Sequence, residues 1–188
     1  TQSGWEHAAR LEHPEPQAQD RFGVSVAIDG LGTPTAGPAI IVGAALDDLP
    51  GLSNAGSAAV FRWWDHDDDG VDSWAFEQLL TDPSPGGGDN FGQSVGIAGD
   101  AAVVGAWLDD NGQSNRGSAV VFRDLGAIED PWAFEARLLP LPESADDQFG
   151  RAVAISDDGG SVVVGAVGYD DGNQVNVGAA WLFIDDGA

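Results

Sequence analysis

The sequence predicts an all-β array of four-stranded propeller blades, three to the chain. Three observations predict it. The same motifs recur in the same order, their apolar residues alternate or run in short blocks bounded by Gly, Asp, Asn and Ser, and no stretch carries helical periodicity. The repeat is clearest from Asp89 to Phe122, DNFGQSVGIAGDAAVVGAWLDDNGQSNRGSAVVF. An earlier copy reads DRFGVSVAI from Asp20, IIVGAALDD from Ile40 and NAGSAAVF from Asn54; a later one reads DQFGRAVAI from Asp147, VVVGAVGYDD to Asp171 and NVGAAWLF to Phe183. The glycines of the VGA triplets, Gly43, Gly105 and Gly165, stand 62 and 60 residues apart.

Each element follows from its pattern. In Trp5–Leu11 the side chains of Trp5, His7, Ala9 and Leu11 alternate with Glu6, Ala8 and Arg10, which reads as a half-buried strand; its counterparts are Trp74–Leu80 and Trp132–Leu138. Trp5, Trp74 and Trp132 recur 18 positions before Gly23, Gly92 and Gly150, and are expected to pack between blades or at sheet edges. The proline-rich run from His13 to Gln19 is a turn. Phe22–Ile28 puts Phe22, Val24, Val26 and Ile28 on one face and Gly23, Ser25 and Ala27 on the other. A sheet with one face of small residues admits close approach by another sheet, as radially packed blades require. The runs Ile40–Ala44, Ala102–Ala106 and Val162–Ala166 are apolar on both faces, hence central strands. Ser57–Trp63, Ser118–Arg123 and Ala179–Ile184 complete the set.

The FG, VGA and GSAxVF elements, in order and three times over, resemble the FG-GAP repeat of integrin alpha-subunit propellers, most closely its bacterial versions. The resemblance covers nearly the whole chain and implies a non-enzymatic extracellular binding, adhesion or scaffold module, steadied by calcium. The blades are expected at 20-80, 89-139 and 147-188, the third without its own outer strand, with residues 1-12 an outer strand closing another blade. Three blades fall below the four to eight of closed propellers. Exchange of Trp5–Leu11 between two chains would make a six-bladed ring; further repeats in a longer chain, or open strand donation giving a surface filament, are the other ways of pairing the edge.

Charge narrows the partners. There are 31 acidic residues against 7 basic ones, all arginine, giving a net charge of −24. Such a field repels nucleic acid and anionic lipid and favours cations and basic surfaces. Acidic, lysine-free surfaces resemble those of halophilic proteins; a calcium-rich exterior or solubility alone selects a similar balance. No apolar run reaches the ~20 residues of a membrane span. Cysteine is absent, which excludes disulfides and thiolate metal sites. A chain opening at Thr1 with no methionine is expected to be a processed product, as removal of a secretory signal would leave it.

The sharpest candidate for chemistry is Asp65-His66-Asp67-Asp68-Asp69-Gly70-Val71-Asp72, whose DxDxDG spacing offers the Asp65, Asp67 and Asp69 carboxylates and the Val71 carbonyl to a calcium ion. The ninth position is Ser73 and the twelfth Phe76, so the loop is not an EF-hand; it lies between the third and fourth strands, whereas the integrin-type loop lies between the first and second. A solvated acidic loop is the alternative reading. The pairs Asp47-Asp48, Asp109-Asp110 and Asp170-Asp171, each followed by Asn54, Asn115 or Asn176, are expected to cap their own turns, and Asp20, Asp89 and Asp147 to be turn residues. Trp64 and Trp107 do not recur strictly and are candidates for a protein or carbohydrate ligand surface, with core burial as the alternative. The three histidines are scattered, and no Ser-His-Asp order points to catalysis. A secreted carbohydrate-binding or carbohydrate-active propeller is the second functional reading.

Overall fold

A computed structural model describes residues 4–30, 37–64, 73–127, 130–142 and 144–187. The eleven strands among them are β1 (Phe22–Asp29), β2 (Ala39–Ala44), β3 (Ser57–Trp64), β4 (Ser73–Leu80), β5 (Phe91–Ala98), β6 (Ala101–Ala106), β7 (Ser118–Asp124), β8 (Trp132–Leu138), β9 (Phe149–Ile155), β10 (Ser161–Ala166) and β11 (Ala179–Ile184). They form three antiparallel sheets in the orders β1-β2-β3-β4, β5-β6-β7-β8 and β9-β10-β11. No helix occurs among the described residues, and none is therefore long and apolar enough to cross a membrane.

The FG pair has a specific structural job. Gly23, Gly92 and Gly150 have φ of 92°, 89° and 87°, and each of the first two marks a break in register between Phe and the Ser three residues on. A glycine-type bulge there turns the strand so that its Phe backbone reaches the preceding blade. Phe91 N donates to Ala55 O and Phe149 N to Arg116 O, each at 2.9 Å, making parallel bridges Gly56↔Phe91 and Gly117↔Phe149. Ser25 Oγ donates to Gly92 O at 2.7 Å, and Ser94 Oγ to Gly150 O at 2.8 Å.

Around these joints sits the core. β5 packs on β1 and β2, and β9 on β5 and β6. Val95 and Ile97 of β5 are buried with Ile41 and Val60 of the first blade, and Val103 and Val121 of the second are covered by the third. Burying a Val or Ile side chain contributes roughly 1.5–3 kcal/mol. The VGA glycines allow the close approach: a Cβ at Gly43 would overlap Gly92 O, and one at Gly105 would overlap Gly150 O.

Two parts of the chain depart from the patterns. Trp5–Leu11, expected as a strand, forms no ladder among the described residues, and Trp5 is 89% exposed. A strand needs a neighbouring edge, and among the described residues this segment is paired with none; of its side chains Leu11 packs, against the cluster of Val42, Ala59 and Phe61. β10, expected to be buried on both faces, buries Val162 and Val164 but exposes Val163, because no described residue covers its outward face as the next blade covers Ile41 and Val103.

Candidate functional site

The polar residues of each repeat converge where strand one begins, strand two ends and strand three begins. Turn capping accounts for one set. Asn54, Asn115 and Asn176 have φ of 53°, 48° and 54°, and their backbone N–H groups donate to the Oδ1 atoms of Asp48, Asp110 and Asp170 at 2.7, 3.0 and 2.7 Å. The expected capping role therefore holds, with one correction of register. Asp170 is the counterpart of Asp48 and Asp110, not of Asp47 and Asp109. Tyr169 occupies that position: its carbonyl accepts from Gly178 N as those of Asp47 and Asp109 accept from Gly56 N and Gly117 N.

A second set of acids is buried. In the first blade His13, Asp20 and Asp47 bring donor atoms within 4.8 Å of one another, with His13 Nε2 3.4 Å from Asp47 Oδ2 and 3.3 Å from Ser57 Oγ. Mixed nitrogen and oxygen donors suit a zinc-class cation. The second blade satisfies the equivalent place with protein groups alone: Arg137 Nη1 donates to Asp109 Oδ2 at 2.7 Å and to Ser118 Oγ at 3.0 Å, and Arg137 also pairs with Asp82, which stands where His13 stands in the first blade. His13 accordingly reads as the basic partner of Asp47. Sequence reasoning passed over this group, although His13 and Asp82 each precede an FG-flanking acid, Asp20 or Asp89, by seven residues.

Asp89 is the most perturbed acid. Burial pushes its carboxyl up to about 6, repulsion from Asp109, Asp82 and Asp110 adds to this, and the Gly86 N–H, donating to Oδ2 at 2.6 Å, opposes it. It lines a pocket of about 370 Å³ with Asp109, Asp110, Asn111 and Arg137. Burial, then repulsion from Asp170, likewise raises Asp147 in the third blade. A carboxyl whose folded pKa lies above its unfolded value binds its proton more tightly when folded, so its effect on stability worsens as pH rises from about 4 through 6. Asp89→Asn should therefore gain about 1–2 kcal/mol at pH 7.5, after allowance for partial solvation, and almost nothing at pH 4. Thermal melts of both proteins across that range measure it; a variant less stable at pH 7.5 would show that the charge is fully compensated.

Of the remaining expected site residues, Asp65, Asp67, Asp69 and Val71 lie outside the described residues. Trp64 ends β3 and is 49% exposed beside Trp63, whose ring meets Trp74 edge-on at 5.6 Å. Trp107 is half-buried, and the Arg151 guanidinium lies 4.2 Å from its ring centroid, covering one face. Trp64 stands at the end of β3 that pairs with the start of β2, whereas Trp107 follows the end of β6, so the two lie at opposite rims and make no common surface. Trp74 and Trp132 pack as expected of recurrent tryptophans: Trp132 is buried, its Nε1 donating to Glu77 Oε2 of the first blade at 2.8 Å.

Three antiparallel sheets joined through their first strands and repeating one set of motifs define a protein of propeller blades. Residues 5–61, 74–122 and 132–183 match the FG-GAP repeat. The chain belongs to the FG-GAP repeat family. No curated protein matches it in sequence.

Proposed function

We propose that the chain is a non-enzymatic binding and adhesion scaffold that works outside the cell. The carrying observation is that the repeated polar residues are committed to the fold: Asp48, Asp110 and Asp170 cap turns, and Asp82 and Asp109 hold Arg137. Variation between blades is then left to the loops, and the DxDxDG loop of residues 65–72 occurs in one blade only. In this reading that loop takes calcium and steadies the rim on which Trp64 offers a flat apolar face to a protein or carbohydrate ligand. The excess of acid suits a surface bathed in cations, whether calcium or high salt.

One observation favours a carbohydrate-active alternative. The pocket holding Asp89, Asp109, Asp110 and Arg137 differs from the equivalent place in the first blade by its arginine, and it contains a carboxyl raised to about 6 beside other carboxylates, the kind of pairing glycoside hydrolysis uses. A panel of oligosaccharides and chromogenic glycosides, assayed for binding and for turnover in calcium and in chelator, separates the two. Binding without turnover, lost in chelator and in Asp67→Ala, is the expected result. Turnover abolished by Asp89→Asn would overturn it in favour of an enzyme.

A further inference from the structure

We infer that the third blade of one chain receives the first blade of a second copy, so that two chains close a six-bladed ring. Each joint inside the chain has a receiving face and an inserted face, and one of each is left uncovered among the described residues. On the receiving side, Gly43 and Gly105 are held by the carbonyls of Gly92 and Gly150, and Gly56 and Gly117 by those of Phe91 and Phe149. The third blade keeps both glycines, Gly165 and Gly178, yet a Cβ at Gly165 would come no closer than 3.7 Å to any described atom and one at Gly178 no closer than 3.6 Å. On the inserted side, Gly92 and Gly150 press against the carbonyls of Ser57 and Ser118, whereas a Cβ at Gly23 would meet nothing within 4 Å. The cradle and the insert are both present and both empty.

The side chains at the two faces agree. Val26 and Ile28 are 68% and 63% exposed, whereas their counterparts Val95 and Ile97, seated on the preceding blade, are 8% and 6% exposed. Leu182 is 62% exposed, whereas its counterparts Val60 and Val121 are 0% and 7%. Exposed apolar faces of matching shape mark an interaction surface.

Polarity favours a copy of this chain as the occupant. At both internal joints an arginine of the earlier blade pairs with an aspartate of the later one: Arg62 with Asp124 at 2.8 Å and Arg123 with Asp185 at 3.3 Å. Strand register puts Ile184 at the arginine position of the third blade and Trp63 at the aspartate position of the first. Both members of the pair are apolar where the open faces would meet, so the joint exchanges an ion pair for a hydrophobic contact without leaving a charge unpaired.

Connectivity completes the fit. Leu11 to Phe22, Leu80 to Phe91 and Leu138 to Phe149 are all separated by eleven residues. Within the chain, that spacing lays β4 beside β3 while β5 docks on the same blade. Docking β1 on a partner's third blade therefore lays Trp5–Leu11 along the edge of β11 that is unpaired among the described residues. Two identical joints related by a two-fold axis close at six blades, within the usual range. Because the joint is apolar and each chain carries −24, association should strengthen as salt screens the repulsion.

The test is the mass of the particle by light scattering and sedimentation across concentration and salt, for the wild type, Gly165→Ala and Val26→Asp. Both substitutions lie where the single chain has room, so circular dichroism should be unchanged; Val26→Asp keeps the test valid should Gly165→Ala fold poorly. The expected result is two chains for the wild type and one chain, or association weakened at least tenfold, for each variant. A wild type that is single throughout, a polydisperse mass growing with concentration, or a variant that still pairs as the wild type does would overturn the closed pair. Mass is read without any ligand, so this outcome is independent of the binding function proposed above.

Discussion

Gly105→Ala should be among the most damaging single-methyl changes in the protein, with a loss of about 3 kcal/mol or more, in the range of severe overpacking. The new Cβ would overlap the carbonyl oxygen of Gly150 and the Oγ of Ser94, the two groups that make the joint between the second and third blades. Relief would have to come from the backbone of β9, because a carbonyl is not the flexible end of a side chain. The effect is steric and not conformational, since Gly105 is not among the positive-φ glycines. Gly165 supplies the control. It occupies the same place in the VGA triplet, but its Cβ would meet only Ala152, at 3.7 Å, so in dilute protein Gly165→Ala should stay within about 0.5 kcal/mol of wild type. At roughly 2–4 °C per kcal/mol for a chain of this size, thermal melts resolve the two easily. Equal effects of the two substitutions would refute the idea that blade approach is what requires glycine at this position.

That contrast also shows what the sequence could and could not disclose. The blades were legible because each motif serves the same backbone event three times: Phe-Gly makes a bulge, VGA receives its carbonyl, and Asn before the last Gly takes a left-handed turn. Patterns imposed by backbone geometry survive as fixed spacings. Misreading came where side chains of one type can serve two roles. Asp170-Asp171 looks like Asp47-Asp48, yet counting from Gly43, Gly105 and Gly165 puts Tyr169, not an acid, at the fourth position. The Arg151 cover on Trp107 joins different blades and leaves no local signature. Trp5–Leu11 shows the strand pattern, but alternation says only that a segment can pair, and nothing about whose edge it pairs with. The buried His13, Asp20 and Asp47 group was hidden for a related reason: its members come from a turn, a strand entrance and a strand exit.

Arg62→Ala should cost about 3–5 kcal/mol, the usual consequence of removing one partner from a buried charge network. Arg62 is 3% exposed and serves both sides of a joint: Nε and Nη2 grip Glu77 at 2.6 and 3.0 Å within its own blade, and Nη2 reaches Asp124 of the next at 2.8 Å. Its guanidinium also lies 5.7 Å from the centroid of the buried Trp132 ring. Without it, two carboxylates face each other across a dry seam in a chain that already carries −24. The equivalent arginine of the next joint calibrates the argument. Arg123 pairs with Glu135, Asp100 and Asp185, but 21% of its side chain is exposed, so water can replace much of what Arg123→Ala removes, and that variant should lose only about 1 kcal/mol. A cycle of Arg62→Met, Asp124→Leu and the double variant, followed by urea unfolding, isolates the bond across the joint. Recovery of stability in the double variant relative to Arg62→Met is expected, because it removes one of the stranded charges. Equal losses for Arg62→Ala and Arg123→Ala would mean instead that the seam is wet, and that apolar packing alone holds the first two blades together.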